Sequence, residues 1–177
     1  MHSDHHIRVA QPQDAEALGV IGPAIYAESY GHMWDDAGAY ADYLMTFGSS
    51  AVGDFIGRTD TRMWLVEVDR RVVGFLSLVL HSPDPVDRRT DGAEVPRIYM
   101  LAPCRGRGVE TKLVAEAERH AREEGADHLW LDAMKAAPWA WQTYHRWGFR
   151  EIGQTWFPAG IPSILNSMVV MRRRISP

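Results

Sequence analysis

The most constraining feature of this sequence is an unbroken succession of strand, glycine-rich turn, long amphipathic helix and strand between residues 94 and 134. Glu94 to Leu101 reads as the first strand, and Arg105-Gly106-Arg107-Gly108 as the turn that follows it. Val109, Leu113, Val114, Ala117 and Ala121 then recur at helical spacing, and Gly125 closes the helix. His128 to Met134 is the second strand. A helix joining two strands is what a parallel crossover needs, so the chain is expected to be α/β around one mixed sheet.

The remaining elements fit around that unit. Ile7 to Ala10 is a short strand, and Pro12 and Asp14 open a helix carrying Ala15, Leu18, Ile21, Ile25 and Tyr26. A second helical region starts at the N-cap candidates Asp35 and Asp36, and Gly48-Ser49-Ser50 separates it from a short piece through Phe55 and Ile56. Met63 to Val68 and Val72 to Leu80 should form an antiparallel hairpin around Asp69-Arg70-Arg71. His81 to Gly92 is a loop. Pro96 sits awkwardly in its strand, because it cannot donate a ladder hydrogen bond, and a bulge there would resolve the conflict. Pro138 starts a short helix through Trp147, and Phe149 to Phe157 and Asn166 to Met171 are the last strands.

Composition excludes several classes. With 177 residues, residues 1–177 are expected to form one domain. The 19 Lys and Arg against 23 Asp and Glu give a net charge of −4, so no basic excess points to nucleic acid. No apolar run approaches the roughly 20 residues that cross a membrane. The single cysteine cannot form an internal disulfide, and Met1 to His6 is polar, so a cytoplasmic protein is expected. His2, His5 and His6 lack a fixed geometry for a metal, and none is expected. Arg172-Arg173-Arg174 reads as a solvated strand end.

Chemistry concentrates in the turn. Gly106 and Gly108 allow a tight backbone that can approach a ligand, and the helix start beyond offers unpaired N–H groups and partial positive charge. Arg105 and Arg107 add cationic charge, so the loop would suit a phosphate or diphosphate. A plain strand-to-helix turn is the alternative. No Gly-Lys-Ser/Thr follows, which excludes a Walker A loop. Cys104, next to Arg105, is either a nucleophile or an incidental thiol.

At this point the sequence resembles the GCN5-related N-acetyltransferase (GNAT) superfamily. The acyl-CoA signature Arg/Gln-x-x-Gly-x-Gly/Ala is matched by Arg105 and Gly108. Arg71-Val72-Val73-Gly74-Phe75 is similar to the family's central hairpin, and Glu94 through Pro103 to its fourth strand. Ala140-x-x-x-Tyr144-x-x-Trp147-Gly148-Phe149 resembles its late Tyr-x-x-x-Gly-Phe element. The resemblance implies a single mixed, mostly antiparallel sheet of about seven strands, helices on both faces, and a V-shaped splay between the fourth and fifth strands.

It also implies function. Acetyl-CoA would lie in that splay, held by Met100, Leu101 and Ala102 along its pantetheine arm and by Arg105, Gly106, Arg107, Gly108, Val109 and Glu110 at its diphosphate, with Ala137 and Tyr144 beside it. Tyr144 corresponds to the acid that protonates the coenzyme sulfur, and Glu94 to a general base acting through water. The acceptor would be a primary amine, a small cation or polyamine, lined by Tyr30, Trp34 and Glu94. An exposed C-terminal edge strand would support a homodimer. Two positions depart from the pattern: Glu110 replaces the last Gly/Ala of the signature, and Ala137 replaces an Asn seven residues before the tyrosine. The departures motivate an alternative, a non-catalytic acyl-CoA-binding or regulatory module.

Overall fold

The computed structural model describes residues 5–157 and 160–175. Strands β1 (His5–Val9), β2 (Thr61–Val68), β3 (Arg71–Leu80), β4 (Gly92–Met100), β5 (His128–Met134), β6 (Arg150–Trp156) and β7 (Ser167–Arg174) form one open sheet in the order β1-β2-β3-β4-β5-β7-β6. Only β4 and β5 run parallel, as the crossover helix requires. The other neighbours are antiparallel. Helices α1 (Ala15–Tyr30), α2 (Ala37–Met45) and α3 (Ser49–Gly57) enclose a core on one face, with Leu18, Tyr26, Phe47, Val52, Leu65 and Phe75 at its centre. Helices α4 (Val109–Glu123) and α5 (Pro138–Arg146) cover the other. No helix among the described residues is long and apolar enough to cross a membrane.

Local chemistry explains the elements. Helix α2 begins where the Asp36 carboxylate accepts the Ala39 N–H at 2.9 Å. Helix α4 turns Val109, Leu113, Val114, Ala117 and Ala121 into the core, as the spacing predicts. A fully buried leucine such as Leu113 contributes about 1.5–3 kcal/mol. Asp69 and Arg70 both take positive φ, 49° and 61°, the twist a two-residue hairpin turn needs.

The expected bulge is present and shapes the sheet. Ser77 pairs with Arg97 but Val79 with Glu94, so one residue of β3 faces both Val95 and Pro96. On the other side, β4 pairs with β5 only at Gly92, Ala93 and Glu94, opposite His128, Leu129 and Trp130. Beyond that point the strands part, since Pro96 has no N–H with which to extend a ladder. This is the splay between the fourth and fifth strands.

The joined end of the two strands is clasped. Arg89 bonds Asp91 and Asp127, the residues immediately before β4 and β5. Asp127 also contacts Nδ1 of the buried His128. Asp91, Asp127 and His128 lie close enough to share a cation, and the Arg89 guanidinium supplies that charge.

Arg172 and Arg173 correct the expectation of a solvated end, while Arg174 is exposed as expected. Arg172 donates to the fully buried Asp84 at 2.8 Å, and Arg173 is paired with Glu118, because the 81–91 loop and α4 bring carboxylates onto β7. Of the N-terminal histidines, His2 lies outside the described residues, while His5 and His6 belong to β1 and His6 faces Glu67 at 3.6 Å.

A Cβ on Gly92 would lie 2.2 Å from His128 Nε2, and that ring is fully enclosed. Gly92→Ala should therefore destabilise the fold by about 1–3 kcal/mol, lowering Tm by roughly 2–10 °C in a thermal melt. An unchanged melting curve would show that the β4–β5 junction has slack.

Candidate active site

Gly106 and Gly108 adopt φ of +73° and +76°, a region L side chains rarely enter. A Cβ at either would meet nothing within 4 Å, so glycine is needed here for backbone direction and not for tight packing. The turn delivers its amides to the start of α4, where the helix dipole favours an anion.

An anion of the chain's own is already close. Glu110, in the first turn of α4, accepts the Gly106 N–H at 3.2 Å. Arg105 does not project freely: its Nε donates to the Met100 carbonyl at 2.7 Å and its Nη2 to Glu28 at 2.9 Å, fastening α1 to the end of β4. Arg107 is exposed on the turn.

Two cavities open along the splay. The larger, about 610 Å³, runs between β4, the α4 N-terminus and α5, and is lined by Met100, Arg105, Gly106, Gly108, Glu110 and Tyr144 among others. The smaller, about 200 Å³, lies on the α1 side and is walled by Tyr26, Tyr43, Trp156 and Phe157, with Asp132 as the one charged residue among the described residues that line it. Tyr30, Ile98, Tyr99 and Tyr144 line both, so Tyr144 stands where the cavities meet.

Not every residue expected at the site reaches it. Leu101 and Ala102 lie on the short turn after β4, with the Leu101 N–H spent on the Val73 carbonyl. Val109 turns its side chain into the core beneath α4, while its main-chain amide stays at the helix start beside the glycine turn. Ala137 is fully buried among Met33, Met134, Ile161 and Met168. Trp34 stands behind the acceptor wall: it packs on Tyr40, Tyr43 and Phe157 and donates to the Tyr26 hydroxyl at 3.1 Å. Cys104 is half-buried against the α4-side core.

Glu94 and Asp132 are the two carboxylates beside the end of the β4–β5 ladder. Glu94 belongs to the last β4–β5 pair and lines neither cavity; its carboxylate accepts the Ser82 hydroxyl at 2.6 Å, and burial pushes its pKa up. Ser82 is itself fixed by the Trp130 indole, which donates to its carbonyl at 2.9 Å. Asp132 is two residues further along β5, past the parting of the strands. Asp132 is the one exposed residue of β5 and its carboxylate opens onto the small cavity, where the protein packed around it displaces water and, with the Glu94 charge, pushes its pKa up to about 6. Burial also raises the Tyr144 pKa, so its phenol stays protonated.

Asp132 escaped the sequence reading. It is the one acidic residue of a strand, His-Leu-Trp-Leu-Asp-Ala-Met, that is otherwise apolar after its first position.

Comparisons with known proteins agree with this geometry. The sequence model of the acetyltransferase (GNAT) family matches residues 24–149. Acetyltransferase Atu2258 of Agrobacterium fabrum is 39% identical over 59 residues, a match that covers 33% of this chain and 42% of that protein. The chain thus spans less than half the length of this curated relative. The crystal structure of PaiA N-acetyltransferase from Thermoplasma acidophilum, in complex with coenzyme A, superposes with a TM-score of 0.76 at 15% identity, covering 97% of this chain and 99% of that one. An N-acetyltransferase from Staphylococcus aureus Mu50 gives 0.73 at 18% identity, with 98% and 100% covered. At such identities the two structures speak for the fold. The family match over most of the chain, on a sheet that splays where a coenzyme arm would enter, places this protein in the acetyltransferase (GNAT) family.

Proposed function

We propose that the protein transfers the acetyl group of acetyl-CoA directly to the nitrogen of a primary amine. The observation that carries this reading is the meeting of two cavities at Tyr144, one long and open, the other small, aromatic and acidic. The larger fits the coenzyme: it has a glycine turn at positive φ, exposed amides at a helix start, and the splayed end of β4. Met100, Gly106, Gly108 and Arg107 would hold it, and it supplies the acetyl thioester.

The chain's own residues then have three tasks. The aromatic wall and Asp132 bind the acceptor's cationic head by charge and cation–π attraction. Asp132 forms the basic side of the site, on the cavity wall where it can take a proton from the ammonium, with the Glu94 charge behind it. Tyr144, kept protonated by burial, donates to the departing sulfur.

The small cavity also narrows the acceptor. One carboxylate among tyrosines and a tryptophan matches a compact amine with a single cationic head and an apolar body. A long polyamine would present further ammonium groups to uncharged aromatic walls, where each loses water without gaining a partner. Glu110 makes the non-catalytic alternative concrete, since its carboxylate holds an amide the diphosphate would use.

Three outcomes are expected. Tyr144→Phe should slow transfer at least about tenfold, with little change in coenzyme affinity measured by calorimetry; an unchanged turnover would remove the acid role. Glu110→Ala should tighten acetyl-CoA binding about 3–10-fold, the value of one released hydrogen bond. Weaker binding in that variant would show instead that Glu110 supports the coenzyme. In a thiol-release assay, phenethylamine-like monoamines should give higher kcat/KM than spermidine, and the reverse order would contradict the single-cation reading. No turnover of any amine, with coenzyme bound, would favour the non-catalytic module.

A further inference from the structure

The two carboxylates at the splay differ in what they can touch. Glu94 precedes the parting of β4 and β5, is held by Ser82, and has no place on the wall of either cavity. Asp132 follows the parting. Its main chain pairs with Val170 of β7, which fixes its position, while on its other side the strand partner has left. Its side chain shares the small cavity with Tyr144.

We infer that Asp132 is the residue that takes the proton from the acceptor ammonium, and that Glu94 acts on it as a neighbouring charge and not as the base itself. The inference rests on the acyl-transfer reading above.

The surroundings of Asp132 suit that role. From β4, Glu94 faces it with like charge. From α2 and α5, Tyr43 and Tyr144 face it, both with pKa values raised by burial and therefore neutral. Tyr30 of α1 shares the cavity wall and is pushed up to about 12. The nearby guanidiniums have other partners: Arg97 has Thr46, the Phe47 ring and Tyr43, and Arg172 has Asp84 and Asp87. Nothing cationic from these elements holds Asp132 at a low pKa, and a base poised near neutrality is the one best matched to proton transfer at physiological pH.

The proton balance closes. An Asp132 oxygen takes one proton from the ammonium, leaving a lone pair on nitrogen. That pair forms the bond to the acetyl carbon as the carbon–sulfur bond breaks. The sulfur takes the Tyr144 proton, and Tyr144 recovers one from the newly acylated nitrogen. The products are the amide, the free thiol and one proton on Asp132, which then passes to water.

The test compares wild type, Asp132→Asn and Glu94→Gln across pH 5–9, using an amine the wild type acetylates. Wild-type kcat/KM should fall as pH drops through about 6, where Asp132 gains its proton. Asp132→Asn should lose about 10²–10³-fold in kcat and lose that acidic limb, while coenzyme affinity by calorimetry stays within a few-fold and shows the variant folded. Glu94→Gln should move the acidic limb to lower pH, because the charge that raises the Asp132 pKa is gone. A Glu94→Gln variant that is inactive beside an active Asp132→Asn would overturn the assignment and return the base to Glu94. An Asp132→Asn profile matching the wild type would overturn it while leaving acyl transfer intact. A wild type inactive on every amine would overturn both readings.

Discussion

The parting of β4 from β5 after the Glu94–Trp130 pair is the constraint on which the rest of the site depends. Two parallel strands in a continuous ladder would have their backbone groups spent on each other. Pro96 and the bulge beside it end the ladder early, so the second half of β4 keeps main-chain groups facing a gap. The same parting lets Asp132 turn from a would-be core position into a cavity wall. At the other end, Arg89, Asp91, Asp127 and His128 hold the strands together, with Gly92 allowing the ring to lie against the backbone. A sheet clasped at one end and wedged at the other is a stable way to keep a slot open.

Charge within the slot is already balanced by the chain itself. Glu110 occupies an amide of the glycine turn, and Arg105 bridges Met100 to Glu28. Coenzyme binding therefore exchanges partners: the diphosphate competes with a carboxylate for the Gly106 N–H. Such exchanges cost less than leaving an amide bare, but they lower net affinity by about one hydrogen bond. On the acceptor side the arrangement is opposite, with Asp132 short of a cation and ringed by tyrosines. That imbalance is what a cationic amine would relieve.

Much of the fold was legible because its signals were local. The helical spacing from Val109 to Ala121, the Asp36 cap, the hairpin around Asp69 and Arg70, and the Pro96 conflict each reflect chemistry within a few residues. The glycine turn was legible for the same reason. What sequence could not show was direction and partnership. Trp34 is aromatic and near the right place, but Tyr40, Tyr43 and Phe157 enclose it behind the wall. Glu94 has the residue type of a base, but Ser82, across a loop, holds it away from the cavity. Ala137 becomes core only because Met33, Met134, Ile161 and Met168 converge on it. Asp132 acquires its character from the departure of β4, an event in the partner strand, and no spacing within β5 encodes it.

The central claim is that a coenzyme enters where β4 leaves β5 and lies across the glycine turn. Amide hydrogen exchange with and without acetyl-CoA tests it most directly, because it reads the backbone groups the claim invokes. Slowed exchange should concentrate in the second half of β4, from Ile98 to Met100, and in Gly106 through Thr111, leaving β1 and β2 at their unliganded rates. Binding with protection confined to other segments, or with none along the splay, would contradict it.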